Sequence, residues 1–385
     1  MHHLPVLIIC KLNLMIIVKI HLFTFAVSNI MEKGRIKRIL LAVWPMVIAI
    51  LVFFLVRIAV NNPDLTEKYY SDGFYPVIAS TFSSVSRISP FSLWDVFWFV
   101  SILIFLAGVV IVILRRMKFR IFCLKVARII ALMYAFFYLS WGFNYFRPDI
   151  GKRIGLDIMK VDEKLFRSML DSVIILINHN YVTVAATDYS EINHKVEESY
   201  SANAGMLDIN YPNGYRRPKS MLFSNLIAKF GISGYFGPFF NEINLNSRLL
   251  PMEYPFLLAH EKAHQFGISG EADANLVAFI ICTSSDDRRL KYSGYLALLL
   301  YFLEDAQYFR DYREFLGKLD KPVIDELRFR QQYYFGLQNE AMGKAHETVY
   351  DAYLKSNHVP HGVENYNQVV ELAISWITNE SKLTE

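Results

Sequence analysis

Three apolar stretches constrain this 385-residue chain more than anything else in it. Residues 39–56 close at Arg57, residues 93–114 carry a single acid, Asp95, near one end, and residues 129–145 are rich in aromatics. Each is long enough to cross about 30 Å of hydrocarbon. Pro45 falls inside the first, where neighbouring helices can absorb a kink. Basic residues flank these stretches unevenly. Lys33, Arg35, Lys37 and Arg38 precede the first, and Arg115, Arg116, Lys118, Arg120, Lys125 and Arg128 lie between the second and third. The 57–92 connection carries only Arg57, Lys68 and Arg87. The positive-inside rule therefore puts the 115–128 loop in the cytoplasm and everything after Arg147 outside it.

Composition agrees with a packed membrane protein. Apolar residues are 54%, charged residues 20% and aromatic residues 15% of the chain, which excludes disorder as its main state. The net charge is only +4, and the basic excess lies beside the spans, so no nucleic-acid partner is expected. Cys10, Cys123 and Cys282 are too few and too scattered for a disulfide framework and read as small hydrophobes. Residues 1–30 are apolar but interrupted by Lys11 and Lys19, and they lack a small-residue cleavage site. Met31-Glu-Lys-Gly-Arg reads as an ordinary cytoplasmic start, which makes 1–30 an upstream extension and 31–147 the membrane domain; the alternative is a weak extra span over 12–30.

Residues 148–385 are one domain-sized unit. Helical patterns run over 162–177, 190–201, 254–266, 269–283 and 292–303. Residues 181–185 and 241–246 read as strands, and 219–230 as either helix or strand. The sharp chemical signal is His260-Glu261-Lys262-Ala263-His264. On a helix, residues four apart share a face, so both imidazoles can reach one ion, and imidazole suits zinc. Glu261 then stands where a carboxylate can deprotonate a water without itself being a ligand. Shortly afterwards comes Glu271-Ala-Asp-Ala-Asn275, at the head of a second helix. Zinc hydrolases of the gluzincin type draw a third ligand from a Glu in such a place, with a pattern like Glu-x-x-Ala-Asp. This sequence resembles that pattern with Asn275 in the Asp position, where it would bond a ligand imidazole more weakly than a carboxylate. The ligand set is thus His260, His264 and Glu271, with Asp273 the second choice for the third place. A metzincin is disfavoured because its third His would fall on Gly270.

Two further assignments follow from position alone. The 241–246 strand precedes the metal helix and could hold an extended peptide through Asn244 and Asn246, or be an internal strand. Tyr292 could polarise a scissile carbonyl, or be a core tyrosine. His179, His194, His346, His358 and His361 lack ligand spacing and read as surface or structural residues.

The segments Trp141-Gly-Phe-Asn-Tyr, Gly231-Ile-Ser-Gly-Tyr-Phe-Gly-Pro-Phe, Ala259-His-Glu-Lys-Ala-His-Gln-Phe-Gly267, Glu271-Ala-Asp-Ala-Asn275, Tyr292-Ser-Gly-Tyr295 and Tyr353-Leu-Lys-Ser-Asn357 resemble the bacterial membrane-protein family catalogued as domain of unknown function 3810. The resemblance covers about residues 39–376. It departs from the usual pattern at Asp273, where Glu is commoner. It implies a bacterial inner-membrane protein with an HExxH helix, and hence a zinc metallopeptidase, but no substrate.

The fold expected is mainly α, with three transmembrane helices followed by an α+β zincin-like extracytoplasmic domain. The activity expected is peptide-bond hydrolysis by metal-activated water, with a peptide or protein substrate and the bilayer as partners. The alternative is a non-catalytic zinc-containing membrane protein acting as an interaction module, but a purely structural site would need no Glu261. An intramembrane protease is disfavoured because Glu253, Glu261 and Lys262 crowd the motif and no Asp-Gly pair lies within another apolar span.

Overall fold

A computed structural model of the protein describes residues 34–184, 188–211, 216–357 and 368–384. The expected extension 1–30, the end of the expected 181–185 strand, His358 and His361 lie outside these residues. The chain is mainly helical. Three of the described helices are long and apolar enough to cross a membrane: α1 (Gly34–Val60), α3 (Leu93–Ile113) and α4 (Phe119–Ser140). Between α1 and α3 lie a π-helical turn, Glu67–Phe74, and α2 (Tyr75–Ser86). Exposed Phe99, Ile102, Leu103 and Ile104 give α3 the apolar surface that a lipid-facing helix needs.

The third span differs from the sequence expectation at both ends. It starts ten residues earlier than 129, so Arg120, Lys125 and Arg128 ride on its first turns, where long basic side chains can reach the interface. It stops at Ser140, and Gly142–Phe146 continues as a 3-10 turn. A Cβ on Gly142 would lie 2.6 Å from the Phe137 ring, so the tight break needs glycine there. Cys282 is buried as expected, whereas Cys123 is exposed on α4.

By internal packing the chain divides into two compact units, and the border runs through the spans rather than at residue 147. One holds 34–55 and Val109–Ala135 of the described chain. The other holds Val56–Gly108 and the described residues from Phe136 onward, so the 57–92 connection, most of α3 and one end of each of the other two spans pack with the C-terminal region.

In this second unit α5 (Glu163–Asn180), α6 (Tyr189–Asn203), α8 (Tyr254–Gln265), α9 (Glu271–Thr283), α10 (Arg288–Ala306) and α14 (Gln368–Thr384) surround one apolar core. The helices start on side-chain caps where the sequence offers them. Asp162 caps α5, Asp188 caps α6 and Asp287 caps α10. The short α11 (Tyr312–Gly317) leads to α12 (Lys321–Leu337) and α13 (Glu340–Ser356). The ambiguous 219–230 segment is both kinds of structure, β1 (Lys219–Ser220) followed by α7 (Ser224–Ala228). With β2 (Gly234–Gly237) and β3 (Glu242–Leu245) it makes a sheet of order β1-β3-β2, with β3 parallel to β1 and antiparallel to β2. Tyr181–Val184 forms no strand; the Tyr181 ring packs edge-on against Tyr292 instead.

The turn between α8 and α9 is where the unit is most tightly constrained. Gly267 has φ +82°, and a Cβ there would meet Asn144 Oδ1 at 2.9 Å and the Tyr75 ring at 3.1 Å. Gly267→Ala should therefore lower the unfolding temperature clearly, since the left-handed backbone alone costs about 1–2 kcal/mol. Gly317→Ala, where a Cβ meets nothing within 4 Å, should leave it unchanged. Thermal unfolding of both purified variants in detergent checks this pair.

Candidate metal centre

Helix α8 opens with Pro255 in its first turn, where a missing N–H costs nothing, and buries its entire length from Leu258 to Gln265. Its rotation is set from behind. Lys262, wholly buried, pairs with Glu197 of α6 and donates to the Arg216 carbonyl at 2.7 Å. Despite its own burial, Glu197 is held below the usual carboxylate range by Lys262 and Arg216. Tyr200 donates to the Ala259 carbonyl at 2.6 Å. With Lys262 turned to α6, His260 and His264, two residues to either side of it, face the opposite way.

There they meet α9. His260 Nε2 and His264 Nε2 lie 3.1 Å apart. Glu271 Oε2 is 3.2 Å from the first and 3.6 Å from the second. A tetrahedral shell of N and O atoms about 2.0–2.1 Å from zinc has edges of about 3.4 Å, so these three atoms trace one face of such a shell. His264 Nδ1 lies 2.7 Å from the Ile268 carbonyl, which fixes the proton on Nδ1 and turns a lone pair on Nε2 toward the other two groups. Two buried imidazole nitrogens facing each other at such a distance cannot both present bare lone pairs to one another; a shared hydrogen or a metal ion lies between them. Glu271 also sits in the first turn of α9, where the helix dipole favours a carboxylate. Against its burial, the two imidazoles hold it well below its usual range. A His₂Glu donor set of this shape fits zinc.

Glu261 stands beside this cluster and outside it. Its carboxylate is buried, and Oε2 has no hydrogen-bond partner among the described residues. Burial pushes it up to about 7, the range suited to a base at neutral pH. It can lie flat against β2 because residue 234 is glycine; a Cβ there would be 2.8 Å from Glu261 Oε1. The four side chains open on a cleft of about 480 Å³, one wall of which is β2.

Outside the cluster the sequence assignments fare differently: the expectation that Asp273 is turned from Glu271 holds, and those for Tyr292, Asn244, Asn246 and Asn275 change. Asp273 points away: its Oδ2 accepts from the Ile150 N–H at 3.0 Å, and burial together with nearby Asp149 pushes it up to about 7. Tyr292 does not reach the cleft. It is buried and hydrogen-bonded to Glu326, as a core tyrosine. Asn244 and Asn246 lie on or just past β3, which is paired on both sides and so has no free edge for a peptide. Asn246 braces its own loop, donating to the Ser224 and Ile232 carbonyls. The strand with an unpaired edge along the cleft is β2. Asn275 lines the cleft beside Tyr301 but bonds neither imidazole; Ile268 has taken that place.

The missing residues come from two segments. Trp141 and Tyr145, read from sequence as the tail of a span, line the cleft because α4 stops at Ser140. Helix α13 contributes His346, Tyr350 and Tyr353. Tyr350 donates to Glu271 Oε1, and His346 stacks on it at 5.7 Å. The i, i+4, i+7 spacing of His346, Tyr350 and Tyr353 was the available signal that these side chains share one face.

Comparison with known proteins supplies one match. A sequence profile for a family described as Protein of unknown function (DUF3810) covers residues 70–374. No curated protein and no solved structure matches the chain.

Metal content of purified variants after mild dialysis tests the ligand set. His260→Ala, His264→Ala and Glu271→Ala should come out empty. Asp273→Asn and Tyr292→Phe should retain metal at the parent level, and Tyr350→Phe should bind about 10–100-fold more weakly through loss of its support to Glu271. An empty Asp273 variant with a loaded Glu271 variant would reverse the assignment.

Proposed function

We propose that this chain, which belongs to the DUF3810 family, is a membrane-anchored zinc metallopeptidase whose C-terminal region works on the extracytoplasmic side. The observation that carries the reading is a buried carboxylate, Glu261, with an unpartnered oxygen beside a three-donor His₂Glu cluster. A structural zinc site is closed by four protein ligands, whereas three ligands facing a cleft leave a position for chemistry. The basic residues around 115–128 support the orientation by the positive-inside rule.

His260, His264 and Glu271 would hold the ion, which when bound supplies Lewis acidity to a carbonyl and a water in the cleft. The chain's own groups do the rest. The free edge of β2, Gly234–Gly237, offers main-chain N–H and C=O groups to an extended peptide and sets the direction in which it lies. Glu261 Oε2 accepts the proton of the attacking water and returns it to the departing amine. Gly234 keeps strand and base in register.

Glu261→Gln should keep its metal and its fold yet lose hydrolysis of a peptide library by about 10²–10⁴-fold. Gly234→Ala should also keep its metal and lose activity, because the carboxylate must swing off the strand. Equal turnover by Glu261→Gln and parent would remove Glu261 from the mechanism. Loaded metal with no hydrolysis by the parent would favour the interaction-module reading.

A further inference from the structure

The cleft is built at the level of the membrane surface. Trp141, on its wall, is the residue immediately after the α4 span, and its indole N–H donates to the His264 carbonyl at 2.9 Å. The cleft also follows β2 to Pro238. The next residue, Phe239, packs its ring 5.3 Å from Phe97 of α3 and 5.3 Å from Phe136 of α4. Phe97 and Phe136 each lie four residues inside their spans, about 6 Å at 1.5 Å per residue. The β2–β3 connection is thus wedged between two membrane helices about one turn below their ends. On the far edge of the sheet, Phe223 stacks 5.8 Å from Phe99, six residues into α3 and so about 9 Å deep. Beside it Leu222 and Leu226 are half exposed. Exposed apolar side chains at that depth face lipid, not water.

Building on the peptidase reading, we infer that the substrate is a polypeptide tethered to the same bilayer by an acyl chain or a transmembrane segment, and that it is cut a few residues from its anchor. Gly234, against Glu261, is four residues of extended chain from Pro238, about 13 Å. A peptide paired along β2 with its anchored end at Pro238 would enter the lipid where Phe239 does. Trp141, Tyr145 and Phe236 give that end of the cleft an aromatic lining, the residue types that settle at a membrane interface. Tethering also confines the substrate to the plane in which the cleft lies, which raises its effective concentration without any new contact.

The test uses the full chain in phosphatidylethanolamine–phosphatidylglycerol vesicles, with Glu261→Gln as the blank. One mixed-sequence peptide library is offered in three forms: free, dipalmitoylated at one end, or following a transmembrane helix. Mass spectrometry reads the cut position and rate. Either tethered form should be cut at least about 100-fold faster than the free form, at about three to six residues from the anchor. Cleavage of only one tethered form identifies the anchor. Free peptides cut as fast as tethered ones would overturn this inference and leave the peptidase reading standing. No cleavage of any form, with metal in place, would overturn both.

Discussion

At the end of α8 the following turn satisfies the Lys262, Ala263 and His264 carbonyls in part, and donors from the segments beside the spans complete the set. An α-helix leaves its last four C=O groups without intrahelical partners. At the end of α8, the His264 carbonyl accepts from Trp141 Nε1 at 2.9 Å, and Gln265 from Tyr75 OH at 2.7 Å. The following turn is held in the same way, with Gly267 accepting from Arg147 Nη1 at 3.1 Å. Arg147 is itself pinned by Glu67, and Ser269 donates to the Asn144 carbonyl at 2.9 Å. Apart from Ser269, which donates in the opposite sense, these donors belong to the segments that leave α1 and α4. A shift of those helix ends would therefore move His264 and, through the Gly267 turn, Glu271. The metal cluster depends on the spans for its shape even though every ligand comes from the C-terminal region.

The sheet is fastened to the same place by different means. Lys219 of β1 and Glu242 of β3 form a buried pair, and both bond Ser86 at the end of α2. Glu242 also accepts from the Trp94 backbone N–H at 2.7 Å. Asp95, the lone acid of the second span, accepts from Tyr235 OH and, at 2.7 Å, from the Leu222 N–H. An ionised group at the end of a span is expensive unless it is bonded, and Asp95 is bonded to the sheet and its flank. The partnering explains why Asn244 could not serve a substrate. It lies on this polar face beside Lys219, wholly buried, and has no exposed edge.

The clustering of His260, His264 and Glu271 was legible because their spacing is local. His260, Glu261 and His264 share one turn of helix, and Glu271 follows within a few residues, so helical geometry brings them together with no knowledge of the fold. Asp273 could be set aside on the same ground, since two residues along a helix is about 200° around it. The spans were legible from apolar length, though not their ends: aromatic Trp141 and Tyr145 suit both a lipid interface and a cleft wall, and composition cannot separate the two. Residues contributed across long sequence separations were illegible. Tyr350 lies 79 residues from the Glu271 it supports, and nothing in either local pattern names the other. Tyr292 failed for the converse reason. A tyrosine near a motif in sequence is not near it in space, and Glu326 of α12 had already claimed its hydroxyl.

These attachments bear on what the site can do. Strand β2 is fixed to the apolar helices next to Phe239 and through Tyr235, and α8 is fixed to them at Trp141, so the strand and the His260–His264–Glu271 cluster have a common reference there. Glu261 lies between the two, in contact distance of Gly234 on one side and adjacent in sequence to His260 on the other. Catalysis by a base and an electrophile held by different elements tolerates little relative motion, of the order of an ångström. A free-standing domain would have to supply that rigidity from its own core. Here the sheet is small, with a two-residue outer strand, and it is bonded to the end of α3 as well. Those bonds help to fix the distance between the strand that would present a peptide and the carboxylate that would act on it.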